Sequence, residues 1–150
     1  MDIHFNHTEP VHAPAETLFE VITDYAGYPR FNPAVVKMTV VAKDQNGAEF
    51  VAKRKTRIAK QVRAFDRYER HPDLTIKRTY GPTSEAQSTW TIHRVDAGHS
   101  RLTIDASTTM PLLPGLVMKP LLRRLFYGIN FSPFIEEAQR RARVGARRLS

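Results

Sequence analysis

Three charged residues occupy positions where alternating strands would turn them toward the interior of a sheet. They are Arg54, Asp66 and Arg78, each within a run whose apolar residues recur at every second position. Neighbouring strands could present all three to one interior, where an unpaired charge costs several kcal/mol. Such residues would have to pair with one another or meet a polar group of a ligand. The alternative is that bulges or strand ends place them in solvent, because Phe65 breaks the apolar parity of its strand.

The remaining polar residues form no recognisable catalytic or metal-binding pattern. The six histidines include no pair with metal-ligand spacing, since His4 and His7, for example, fall on opposite faces of one strand. The chain has no cysteine, which excludes disulfides, thiolate nucleophiles and cysteine-bound metal. No phosphate loop, dinucleotide fingerprint or G-x-S-x-G motif occurs, and Asp66, Glu49 and Asp105 are isolated carboxylates. We therefore expect no metal and no cofactor, and we nominate no catalytic residue.

Strands joined by short turns must position the charged residues. A first strand is predicted over 3–12, and a period of two in hydrophobicity predicts six more. These six strands span 35–44, 47–58, 61–71, 74–80, 85–95 and 100–110. Turn residues such as Gln45-Asn46-Gly47 separate them, which indicates an antiparallel meander. In 35–44, the more apolar parity, expected to face inward, consists of Val36, Met38, Val40 and Ala42.

Helical segments flank the strands. A first helix precedes residues 25–33, which form a turn or a short second helix. Near the C terminus, an apolar stripe over 121–129 precedes a last helix that begins at Ser132-Pro133. We expect a break or kink near Asn130 to Ser132. The C-terminal helix is long enough to cover the apolar face of the sheet, and this arrangement is an α+β fold.

Length and composition are those of one ordinary domain over 1–150, with 41% hydrophobic and 25% charged residues. The start MDIHFNHTEP lacks the basic and apolar regions of a signal peptide, and lysine and arginine interrupt the longest apolar run. We therefore expect a cytoplasmic protein. The net charge of +8 is concentrated in Lys53–Arg70 and Gly115–Ser150. Those segments could contact RNA or an acidic membrane surface, or could simply form a solvated face.

The segment APAETLFEVITDYAGYPRFNP, residues 13–33, resembles the opening of the START-like (SRPBCC) superfamily, the polyketide cyclase/dehydrase and lipid-transport group. Tyr28-Pro29, Phe31 and Pro33 are similar to the coenzyme Q-binding branch of that superfamily. The resemblance in strand order extends over nearly the whole chain. It implies a helix-grip fold, in which a curved antiparallel sheet of about seven strands wraps around a long C-terminal helix. Two short helices would follow the first strand, and a hydrophobic cavity would lie between sheet and helix.

The predicted function is the binding or transport of a small hydrophobic ligand, such as a lipid, a quinone or a polyketide-like molecule. One alternative is an enzyme of cyclase or dehydratase type, in which Arg78, Asp66 or Tyr80 moves protons. Another is a ribosome- or RNA-associated protein that uses the basic segments. Trp90 and the loop residues Tyr28 and Phe31 could belong either to the core or to the cavity wall. The predicted ligand-binding residues are Tyr28, Phe31, Phe50, Arg54, Asp66, Arg78, Tyr80, Trp90, Met118, Leu122 and Phe126.

Overall fold

A computed structural model describes residues 2–55, 61–81, 86–109 and 131–149. Strand β1 (Asp2–Val11) leads into helix α1 (Ala15–Ile22), a 3-10 turn (Tyr25–Gly27) and the short helix α2 (Tyr28–Phe31). Six strands follow, namely β2 (Val35–Asp44), β3 (Gly47–Arg54), β4 (Gln61–Glu69), β5 (Leu74–Gly81), β6 (Ala86–Asp96) and β7 (His99–Thr109). Helix α3 (Ser132–Leu149) is the last element.

The strands form one seven-stranded sheet in the order β1-β7-β6-β5-β4-β3-β2. All neighbouring strands pair in the antiparallel sense, and β1 closes the meander by pairing with β7. The curved sheet, the short helices after β1 and the C-terminal helix make up a helix-grip fold. The predicted fold class is therefore confirmed.

One face of the sheet is buried and the other is open to solvent. In β4 the alternation is regular, with Ala64, Asp66 and Tyr68 buried and Phe65 on the opposite face. Arg78 of β5 is buried on the same inner face. The alternative that bulges or strand ends place Asp66 and Arg78 in solvent is therefore wrong.

Helices α1 and α3 pack against each other and cover the inner face of the sheet, which α3 contacts through Phe134 and Trp90. Helix α1 is amphipathic, and its buried side carries Leu18, Val21 and Ile22. The covering side of α3 carries Phe134, Ile135 and Ala138, which are nearly inaccessible to solvent. Apolar residues spaced three and four apart make this continuous stripe, which burial against the sheet stabilises.

Strand β2 departs from the predicted orientation. Val36 and Val40 are 48% and 40% exposed, and Ala42 is also exposed. Of the four residues predicted to face inward, only Met38 packs partly against the core. The strand lies at the edge of the sheet, and its register with β3 shifts twice, between Val35 and Lys37 and between Val40 and Ala42. Because each shift of one residue changes the face that a side chain occupies, a single parity does not describe this strand.

Helix α3 begins at Ser132, where the Ser132-Pro133 pair predicted a helix start. The apolar stripe over 121–129 lies outside the described residues, and so does Asn130, where the predicted break near Asn130 to Ser132 begins. Within the described ranges, no helix is both long enough and apolar enough to cross a membrane.

Candidate functional site

A cavity of about 240 Å³ lies between the inner face of the sheet, helix α2 and the first turn of helix α3. Most of its lining side chains are apolar or aromatic, and a few polar groups are interspersed. The lining residues are Tyr28, Asn32, Val35, Phe50, Ala52, Arg54, Val62, Arg78, Tyr80, Ala86, Trp90 and Phe134. A concave apolar site with a few polar groups is typical of a small-molecule binding site.

Small residues on the inner face of the sheet make room for this cavity. Across β3 to β6, Phe50, Ala64, Tyr80 and Ala86 lie opposite one another in register, so alanines alternate with aromatic residues. In the next row of β3, Ala52 is another alanine on the lining. An alanine methyl group leaves space that a leucine or valine would fill in a close-packed core.

Aromatic rings form the rigid part of the wall. Phe134 packs edge-on against Tyr28 and Trp90, with ring centroids 4.9 and 5.3 Å apart. Trp90 is 1% exposed, and its Nε1 donates a 2.9 Å hydrogen bond to the Ser88 hydroxyl. Trp90 therefore belongs to the core and to the cavity wall at once. Because its N–H is already engaged, it presents a ring surface rather than a donor.

The buried charges of this site form a two-point ion pair. Arg78 Nε and Nη2 donate to the Asp66 carboxylate at 2.8 and 2.9 Å. The side chains of Arg78 and Asp66 are 5% and 0% exposed. Two parallel bonds between a guanidinium and a carboxylate fix both distance and orientation. A sheet register that sets Asp66 opposite Arg78 brings the two together.

Three tyrosine hydroxyls extend the hydrogen bonding around the pair. Tyr25 donates to Asp66 Oδ2 at 2.6 Å and accepts from the Tyr68 hydroxyl. Tyr28 accepts a 2.9 Å hydrogen bond from Arg78 Nη2 and donates to the carbonyl oxygen of Ile22. Buried polar groups that are satisfied in this way hold one arrangement. The site is thus preorganised from behind by residues outside the cavity lining, namely Asp66, Tyr25 and Tyr68.

Burial and the ion pair fix the protonation of this cluster. Burial by itself would lower the pKa of Arg78, but the facing Asp66 carboxylate raises that pKa well above its usual value. Burial first, and the nearby Asp66 charge second, raise the pKa of Tyr25. Burial also raises the pKa of Tyr28, by more than the facing Arg78 lowers it. Arg78 is therefore a permanent cation, and these two phenols stay neutral at physiological pH.

One nitrogen of the Arg78 guanidinium, Nη1, is left to donate a hydrogen bond to a ligand. The guanidinium lies 5.1 Å from the ring centroids of both Phe50 and Trp90, an arrangement that fixes its plane. Among the described residues, Nη1 has no hydrogen-bond partner, whereas Nε and Nη2 are both engaged. An arginine presents its N–H groups in a fixed fork, so Nη1 is the group left for a bound molecule.

Three further polar side chains border the cavity. The Tyr80 hydroxyl has no hydrogen-bond partner in the described part of the chain. Asn32 is 3% exposed and uses its Oδ1 to cap the backbone N–H of Ala34 at 3.1 Å, so its amide N–H groups remain for a ligand. Arg54 is half-buried and has an interaction partner. Several polar groups thus converge on an otherwise apolar space.

Comparison with known families gives this site a context. The family model described as "Polyketide cyclase / dehydrase and lipid transport" matches residues 2–140. The chain belongs to this family. The comparisons do not confirm the resemblance to the coenzyme Q-binding branch, which stays a prediction. No curated protein matches the sequence.

Several solved structures share the fold of this family member, although their sequences are only distantly similar to it. The Zhui aromatase/cyclase from a Streptomyces species is 18% identical over 97% of this chain and 98% of its own, with a TM-score of 0.70. A STAR-related lipid transfer protein from Xanthomonas axonopodis is 12% identical, covers 91% and 85%, and has a TM-score of 0.67. Norcoclaurine synthase from Thalictrum flavum is 9% identical, covers 91% and 86%, and also has a TM-score of 0.67. These likenesses support the fold alone.

Most predicted site residues of this family member lie together at the cavity. Six of them are on its lining, namely Tyr28, Phe50, Arg54, Arg78, Tyr80 and Trp90. Asp66 lies behind Arg78. Phe31 packs against Phe134 beside the cavity, with the ring centroids 5.7 Å apart. Met118, Leu122 and Phe126 lie outside the described residues.

Sequence reasoning did not nominate several residues that matter here. Asn32 and Phe134 line the cavity, and Tyr25 and Tyr68 hold the ion pair. Tyr68 shares the inward parity of Asp66, two positions away, and this signal could have drawn attention to it. Asp66 was described as an isolated carboxylate, whereas it has three hydrogen-bond donors around it.

The C-terminal arginines are partly neutralised by neighbouring acids. Arg140 and Arg141 both donate to Glu137, and Arg141 also donates to Asp24 at 2.7 Å. These contacts tie helix α3 to the segment just before the 3-10 turn. Among the described residues, no group of three histidine or acidic side chains is placed to hold a metal ion.

Proposed function

We propose that this chain is a ligand-binding domain that encloses a compact hydrophobic molecule, such as a quinone, a polyketide-like ring compound or part of a lipid. The observation that carries the proposal is the cavity of about 240 Å³ with aromatic walls and the buried cation Arg78 fixed at its inner side. The proposal treats the chain as one such domain acting in the cytoplasm, as its sequence predicts.

Desolvation would supply most of the binding free energy. Each 100 Å² of apolar ligand surface removed from water contributes about 2.5 kcal/mol. Phe50, Trp90 and Phe134 offer flat surfaces at fixed positions, so little ordering of the wall opposes binding. Arg78 Nη1, the Tyr80 hydroxyl and the Asn32 amide would then orient the polar end of the ligand.

Two measurements test this proposal. Organic extraction of the purified protein followed by mass spectrometry should release a small hydrophobic compound. Because Trp90 is the only tryptophan in the chain and lies on the cavity wall, its fluorescence should change saturably when an aromatic ligand is added. An empty extract, together with no saturable response to any aromatic or aliphatic probe, would remove the proposal.

A second candidate is a cyclase or dehydratase activity, which the convergence of polar groups favours. Asp66 does not line the cavity, and Arg78 keeps its proton because the facing carboxylate raises its pKa. Tyr80 is therefore the residue in this set that could move a proton at a bound substrate. Incubation with a linear poly-ketone thioester would show cyclised product, and Tyr80→Phe should abolish product while preserving binding. Equal turnover by the variant would contradict this role.

A third candidate, binding of RNA or an acidic membrane surface through the basic segments, has the net charge of +8 in its favour. The pairing of Arg140 and Arg141 with Glu137 and Asp24 reduces the charge available on helix α3. We rank it below the cavity because these ion pairs leave less unpaired positive charge on the described part of helix α3.

A further inference from the structure

We infer that the cavity selects its ligand by charge. It accepts an uncharged oxygen acceptor, such as a ketone, quinone or amide carbonyl, and it disfavours a carboxylate of the same shape. Asp66 determines this preference although it does not line the cavity, so it acts through Arg78 as a positioning residue. The inference rests on the proposed function, because it names the chemical class of ligand for the same cavity.

The first step is that the positive charge of Arg78 is already matched. The Asp66 carboxylate binds two of its nitrogens at 2.8 and 2.9 Å, and neither side chain is more than 5% exposed. The Tyr25 hydroxyl donates a further hydrogen bond to the same carboxylate at 2.6 Å, which stabilises its negative charge. The inner side of the cavity therefore carries a neutral pair rather than an unpaired cation.

The second step concerns what a neutral pair can bind. A carboxylate entering the cavity would lose its hydration, and the attraction of Arg78 would be offset by repulsion from the Asp66 carboxylate directly behind it. The complex would then hold one unmatched buried negative charge, which is strongly unfavourable. Arg54 also lines the cavity, but its side chain is partly exposed and already has an interaction partner, so solvent weakens the attraction between its charge and a bound carboxylate.

The third step is that an uncharged acceptor can bind the remaining N–H donor of Arg78. Arg78 Nη1 has no partner among the described residues, and a carbonyl oxygen accepts its N–H without adding a charge. The flanking rings of Phe50 and Trp90 hold the guanidinium 5.1 Å from each ring centroid, which fixes where the acceptor must sit. A flat ring bearing a carbonyl fits both the aromatic walls and this donor.

A matched pair of ligands tests the inference on the wild-type protein. Acetylnaphthalene and ionised naphthoic acid share one ring system and the same number of non-hydrogen atoms, and naphthamide is a second neutral probe. Calorimetry and Trp90 fluorescence at neutral pH should show that both neutral compounds bind about tenfold or more tightly than naphthoate. Naphthoate binding as tightly as acetylnaphthalene would overturn the inference while leaving the proposed function intact. Failure of all three compounds to bind would count against both.

Two variants then separate charge from structure. Asp66→Asn leaves Arg78 with an unmatched charge, so naphthoate should gain about tenfold or more and the preference should reverse. Glu49→Gln removes the same charge from the outer face of the neighbouring strand, and it should leave the preference unchanged. Tyr25→Phe removes one hydrogen bond but keeps the Asp66 carboxylate, so it should lower the affinity for all three compounds and still keep the preference for the neutral ones. An Asp66→Asn protein that folds and still prefers acetylnaphthalene would contradict the role of Asp66. If Tyr25→Phe also reversed the ligand preference, the preference would depend on the arrangement of the hydrogen bonds rather than on the Asp66 charge.

Discussion

Asp66 and Arg78 lie directly opposite each other on β4 and β5, and two hydrogen bonds of 2.8 and 2.9 Å join them on the buried face of the sheet. A pair of this kind is a weak source of net stability, because the desolvation of both ions offsets their attraction. Its value lies in orientation, since it fixes the buried guanidinium of Arg78 at the inner side of the cavity. The pair also means that neither residue can be removed alone without leaving the other charge buried.

We predict that Arg78→Leu lowers the free energy of unfolding by about 3–5 kcal/mol, because Asp66 would keep an uncompensated buried charge. Urea unfolding followed by circular dichroism measures this loss. The single variant therefore weakens the fold as well as any ligand contact, and binding data from it alone cannot isolate a ligand role.

A double variant separates the two effects. Arg78→Leu combined with Asp66→Leu replaces the pair by apolar side chains, while the Tyr25 and Tyr68 hydroxyls keep each other as partners. Its stability should exceed that of the Arg78→Leu single variant, since no charge is left unpaired. If the double variant lost as much stability as the two single variants added together, the ion pair would not be the coupled unit described above.

The sequence predicted the inner face of the central strands well and the edge strand poorly. In β4, β5 and β6 the buried positions recur at every second residue over most of each strand. Parity therefore put Trp90 on the inner face and made Asp66 and Arg78 candidates for the interior, with a position in solvent as the alternative. In β2 two register shifts break that rule, and hydrophobicity gave no sign of them.

The network behind Arg78 illustrates a different limit of sequence reasoning. Tyr25 and Asp66 are 41 positions apart, and their contact depends on how the 3-10 turn packs against the sheet. Local patterns carry no information about such a packing angle. The same applies to the cavity volume, because alanines on a strand are compatible either with a hollow or with a closely packed helix.

We predict that Ala52→Leu reduces ligand affinity about tenfold or more, because the larger side chain would occupy the cavity that Ala52 lines. Fluorescence titration of Trp90 with acetylnaphthalene measures the change. Ala42→Leu is the matched control, since Ala42 lies on the exposed part of the paired strand β2. Unchanged affinity in the Ala52→Leu protein would show that the ligand binds elsewhere.

Alkaline pH should destabilise the fold through its buried tyrosines. Burial and the Asp66 charge raise the pKa of Tyr25 above the ordinary value of 10.0, so the folded state keeps a proton that the unfolded chain releases. The stabilisation is fully present below about pH 10 and is lost as the pH rises further, by about 1.4 kcal/mol per pH unit for each such phenol. Urea unfolding of wild type and Tyr25→Phe at several alkaline pH values measures the slopes. The variant should show the shallower fall, and parallel slopes would contradict a protonated Tyr25.

Salt distinguishes the cavity from the basic segments. Binding of an uncharged ligand neutralises no phosphate and releases no counterions, so the affinity for acetylnaphthalene should change by less than about twofold between low salt and about 0.5 M. Binding of RNA to the same protein, where it occurs, should weaken steeply over this range, because each neutralised phosphate adds to the slope. Arg140→Gln removes a charge from the outer side of helix α3 and should leave acetylnaphthalene affinity unchanged at every salt concentration. A steep salt dependence for the neutral ligand would mean that electrostatic attraction, rather than desolvation in the cavity, drives its binding.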